Sequence, residues 1–71
     1  MKTTHWTIYE RPNPLQYVAR PTVFDGEALL HPDHSLVSSY LETLRLDMMA
    51  RGLSRIRRHP KDDPQIVELW I

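Results

Sequence analysis

Cysteine is absent from this chain, which excludes a disulfide framework and any thiolate-held metal. Glycine is scarce. Gly26 and Gly52 are the only two, too few for a glycine-rich loop that cradles phosphate. An excess of charge of one sign is missing as well. Nine Lys and Arg balance nine Asp and Glu, so the overall field draws the protein neither to nucleic acid nor to an anionic membrane. No stretch approaches the ~20 apolar residues of a membrane span, and residues 1–11 hold no apolar run of signal-peptide length. These absences predict a soluble cytoplasmic protein with no membrane partner, no cofactor and no metal. The 71 residues leave room for one domain, 1–71, with a small core, since a domain of about 60 residues buries only ~60% of the surface of its unfolded chain.

Alternation of apolar and polar residues dominates what is present. Thr4 to Glu10 sets Trp6 and Ile8 on one face and His5, Thr7 and Tyr9 on the other, the spacing of a half-buried strand, and Arg11-Pro-Asn-Pro ends it. Gln16 to Phe24 reads as a second strand in which Pro21 marks an edge or a bulge. Asp25-Gly26 then offers a tight turn that could close a small hairpin onto Glu27-Ala-Leu-Leu. Leu53 to His59 and Gln65 to Ile71 alternate around a Pro- and Asp-rich turn and form a hairpin. The run Leu69-Trp70-Ile71 would be costly in water unless it pairs and packs.

Between these strands the period changes to that of a helix. Pro32 blocks an earlier start, Asp33 or Ser35 can cap the first turn, and Gly52 suits the left-handed residue beyond a C-terminus, so the pattern predicts a helix over about 35–51. Val37, Tyr40, Leu41, Leu44 and Met48 form the stripe that lies on the sheet. The capping-box spacing at Ser39 and Glu42 falls inside that stripe and is read as coincidence. Leu46 and Met49 point away from it and are candidate partner contacts. The architecture expected is a small α+β domain of β-β-α-β-β order, a mostly antiparallel sheet with one helix packed on one face.

The C-terminal hairpin supplies the main candidate site. If Ile56, Val67, Leu69 and Ile71 face the helix, then Arg55, Arg57, His59, Glu68 and Trp70 face outwards. In its plainest reading that outer face is solvated and held by a Glu68 ion pair and an Arg stacked on Trp70. In its sharper reading Arg55, Arg57, Arg58, Glu68 and Trp70 bind a partner. Arginine and tryptophan dominate protein interfaces, and arginine forks with an indole also suit phosphates and bases, which makes nucleic acid the alternative ligand.

The remaining chemistry is thin. His31-Pro-Asp-His34 and the group of His59, Asp62 and Asp63 lack the three or four rigidly spaced ligands of a zinc site. Asp62-Asp63-Pro64 fits turn chemistry better than an acid and base pair, and Ser35, Ser38, Ser39 and Ser54 have no evident His and Asp partners. The expectation is a non-catalytic binding protein acting on an unknown protein partner, or on itself as a homodimer, through an uncovered sheet face. A metal-dependent or acid-base enzyme is the remaining rival.

Overall fold

The computed structural model describes residues 2–12, 14–32 and 34–71. One antiparallel sheet holds all six of its strands: β1 (Lys2–Arg11), β2 (Gln16–Asp25), β3 (Ala28–Leu30), β4 (Leu36–Ser38), β5 (Arg55–Arg57) and β6 (Ile66–Trp70). Among the described residues a single helix, α1 (Leu41–Ala50), lies between β4 and β5 in the chain. The expected α+β sheet with one helix is therefore the architecture observed, enlarged by two short strands. The strand order is β3-β2-β1-β6-β5, with β4 on the same edge of β2 as β3.

β1 and β2 pair in unbroken register from Lys2 opposite Asp25 to Arg11 opposite Gln16. A hairpin forms where Asp25-Gly26 was expected to turn, but one residue later: Asp25 pairs with Ala28, so the two-residue loop is Gly26-Glu27, with Gly26 at φ 62°, the positive angle that such turns demand. Pro21, expected at an edge or bulge, faces Trp6 without any register shift. The accommodation is made on the other side of β2. β4 pairs with residues 17–19 and β3 with residues 23–25, so the outer neighbour of β2 is interrupted where proline offers no donor. The chain between those two strands carries Pro32, which has no N–H either.

The helix is shorter than its sequence pattern. Leu36–Ser38 is drawn into the sheet as β4, and Val37 and Tyr40 are 54% and 73% exposed instead of lying on the buried stripe. Register with β2 outweighs the local helical period here. Tyr40, in extended conformation, is the N-cap, and its N–H is taken by the Ser38 hydroxyl oxygen at 3.0 Å. Ser35 is thus not a cap, and Asp33 lies outside the described residues, as does Asn13. The C-terminus follows expectation. Gly52 at φ 77° donates to the Met49 carbonyl at 2.9 Å and Leu53 to the Met48 carbonyl at 3.2 Å, a Schellman closure that folds Leu53 back onto the core. A Cβ at Gly52 would meet no atom within 4 Å, so Gly52→Ala is expected to cost only the backbone term, about 1–2 kcal/mol. It should lower the urea midpoint and leave the slope unchanged.

The core lies between helix and sheet. Leu44 and Met48 meet Trp6, Ile8, Ala19 and Trp70, with Tyr17, Leu36, Leu41, Leu53 and Val67 packed around them. This reverses the assignment of faces in the C-terminal hairpin. Trp70 and Glu68 lie opposite Trp6 and Ile8 and are each 4% exposed, whereas Ile56 and Ile71 are exposed. Two effects decide it. The indole of Trp70 fills more space than an aliphatic side chain, and Glu68 has a charged partner waiting on the helix. Val67 has no opposite number, because Ile8 faces Glu68 while the next residue, Tyr9, faces Ile66. This β-bulge leaves Val67 able to touch the core although it neighbours the inward Glu68.

Candidate functional site

Helix α1 presents Leu41, Leu44, Arg45 and Met48 to the sheet at the i, i+3, i+4, i+7 spacing of one face. The arginine among them reaches the buried carboxylate. Arg45 Nε donates to Glu68 Oε1 at 3.0 Å and Nη2 to Oε2 at 3.1 Å, while Nη1 donates to Glu42 Oε1 at 2.7 Å. Trp70 Nε1 donates to Glu68 Oε1 at 3.2 Å. Hydrogen bonding to Glu68, helped by Glu42, holds the Arg45 guanidinium above its ordinary pKa against the opposing effect of desolvation. The site is thereby locked as an ion pair. Arg45 escaped the sequence reading, and its only local signal is its place between Leu41 and Met48 on the inner face of the helix.

Of the five residues expected to share a binding face, the structure turns Glu68 and Trp70 inward, leaves Arg55 and Arg57 exposed and holds Arg58 half-buried. Arg55, Arg57 and Arg58 line a cleft of about 360 Å³ with Val67 and Glu68. Arg55 sits opposite Trp70 in register, its Nη1 3.8 Å from Glu68 Oε2, and Arg57 sits opposite Glu68. Arg58 donates to the carbonyls of His59 and Asp62. Among the described residues Arg57 makes no salt bridge. The expected stacking of arginine on Trp70 does not form. Arg51 lies over Trp6 at 4.7 Å and Arg20 over Tyr9 at 5.8 Å instead.

The face of the sheet away from the helix has no covering layer among the described residues. By register it carries His5, Thr7 and Tyr9 of β1, Val18, Arg20, Thr22 and Phe24 of β2, Leu29, Val37, Ile56 and Leu69. Phe24, Leu29, Val37 and Ile56 are exposed there, and Val18 is buried beneath its neighbours. On the helix, Leu46 and Met49 are exposed as well, Met49 on the flank where it lines a cavity with Arg45, Leu53, Arg55 and Trp70.

The histidines are scattered. His31 and His34 lie on the break between β3 and β4, beside one edge of the sheet, whereas His59 follows β5 at the other. Among the described residues no three His, Asp or Glu side chains converge to hold a metal ion. His59, Asp62 and Asp63 are engaged in turns: the Asp62 carboxylate accepts from the His59 N–H at 2.8 Å and that of Asp63 from the Gln65 N–H at 2.9 Å. The Asp63 bond is the Asx geometry which favours aspartate in loops, and the Asp62 bond reaches back three residues to close the turn.

No family model, curated protein or solved structure matches the chain. Its own geometry is what a functional reading rests on. No helix among the described residues is long and apolar enough to cross a membrane.

Proposed function

We propose that the chain is a small non-catalytic interaction domain that pairs with a second copy of itself through the open sheet face. The observation that carries this reading is the composition of that face. Tyr9, Val18, Phe24, Leu29, Val37, Ile56 and Leu69 share it through the strand registers. Its central positions hold no carboxylate and no lysine, and the guanidinium of Arg20 lies over Tyr9. Arg20 is the one formal charge at those positions, so a two-fold pairing that keeps the two Arg20 side chains apart opposes no like charges, and burying the face removes apolar surface from water.

The test is sedimentation velocity over a concentration series. Self-association should be measurable below about 1 mM, the weak end of specific binding. Ile56→Lys, on an exposed position of the face, should weaken it by about tenfold or more while leaving the far-UV circular dichroism unchanged. A wild-type chain that stays monomeric throughout overturns the proposal. Nucleic acid as an alternative ligand is favoured by the three arginines of the cleft, but would have to bind without Trp70 as a stacking platform. That reading requires an affinity that falls steeply with salt.

A further inference from the structure

We propose that the free edge of β5 binds an acidic extended peptide segment, which adds to the sheet as a further antiparallel strand. Two observations meet there. The first is the direction of the backbone groups. Ser54 and Ile71 exchange both hydrogen bonds, N–H to carbonyl at 2.8 and 3.0 Å. In an antiparallel ladder such pairs alternate, so Ser54 and Ile56 direct their polar groups at β6. Arg55 and Arg57 direct their N–H and C=O groups outwards, at the end of the sheet order where no further described strand pairs.

The second observation is charge. The side chains of the same two residues project on the helix side and line the cleft of about 360 Å³ with Arg58. Glu68, on the cleft wall, is already matched by the Arg45 fork and stands only 3.8 Å from Arg55 Nη1, so one carboxylate serves two guanidiniums, and Arg57 has none of its own among the described residues. An incoming strand that takes the outward groups of Arg55 and Arg57 sets two of its own side chains, two residues apart, directly across from the guanidiniums. Opposite charges at such positions attract and like charges repel.

That selects the occupant. A second copy added edge to edge about Ile56 would set Arg55 against the Arg57 of its twin, so self-pairing is opposed here. A segment with acidic residues at alternate positions is favoured, its backbone giving affinity and its carboxylates register. The cleft lies on the opposite side of the sheet from the open face, and the inference does not depend on self-association.

The experiment is a titration of the ¹⁵N-labelled chain with the capped peptide Thr-Glu-Val-Glu-Thr, its Thr-Lys-Val-Lys-Thr counterpart and a single-stranded oligonucleotide. The acidic peptide should shift the amides of Arg55 to Arg57 and slow the hydrogen exchange of Arg55 and Arg57, and the lysine peptide should not. Arg57→Glu should weaken the acidic peptide by about tenfold or more. The double variant Arg55→Glu/Arg57→Glu should transfer the preference to the lysine peptide. Equal shifts with both peptides, shifts away from β5, none at millimolar peptide, or an oligonucleotide that protects the same amides equally well would each overturn it. The comparison of the two peptides on the unaltered chain stands even if the variants fail to fold.

Discussion

Trp70→Ala is expected to lower the unfolding free energy by about 3–5 kcal/mol, the usual cost of emptying a large aromatic site in a core. Trp70 is 4% exposed, lies opposite Trp6 in the β1–β6 ladder and packs in one cluster with Leu44 and Met48. Its removal also takes from Glu68 the indole donor at 3.2 Å. Native domains are stable by only about 5–15 kcal/mol, and small ones bury proportionally less surface. The variant should therefore be largely unfolded at modest urea, with the fluorescence of the remaining Trp6 reporting the transition. A loss below about 1 kcal/mol, the size of an ordinary surface change, would show that Trp70 is peripheral to the core.

Arg45→Ala is expected to cost a similar amount, about 3–5 kcal/mol, for a different reason. Removing one partner of a buried ion pair strands the other charge without water. Glu68 would keep the Trp70 donor and Arg55, whose nearest nitrogen is 3.8 Å away, and would lose both prongs of the fork. Replacing both partners, Arg45→Met with Glu68→Leu, should be milder, because an apolar pair of similar volume incurs no desolvation penalty, and the remaining cost is about 1–3 kcal/mol for the Trp70 indole N–H left without its acceptor. Urea melts of the single and double variants check this. A double variant no better than Arg45→Ala would show that packing around the arginine stem, and not the stranded carboxylate, carries the loss.

Where alternation had a single reading, the sequence was enough to place the strands: Trp6 and Ile8 fix the inward face of β1, and Gly26 marks the turn into β3 to within one residue. The C-terminal hairpin was ambiguous because both of its faces contain large side chains. Counting aliphatics turned Ile56, Leu69 and Ile71 inward. What overturned the count is non-local: the fork of Arg45, far back in the chain, waiting for Glu68, and Trp6 opposite Trp70. The bulge at Val67 compounds this, since it breaks the strict two-residue period on which face assignments depend. The helix start failed for a related reason. Val37 and Tyr40 fit a helical stripe, but residues 36–38 gain more from pairing with β2, a partner invisible to a local window. The surface arginines were legible as a cluster. Which strand edge they guard was not, because that depends on strand order.

The central position of β1 has a consequence in time. Its pairing with β2 closes across a short turn and can form early, whereas its pairing with β6 must bring Tyr9 to Ile66, and the entropy of joining such distant points has to be met before the contact repays it. Helix α1 lacks a side-chain N-cap and is short for a helix to persist alone in water. Its lasting support is the layer that Trp70 and Glu68 complete. Refolding would then run from the N-terminal hairpin, with α1 and β6 gained together in one late step.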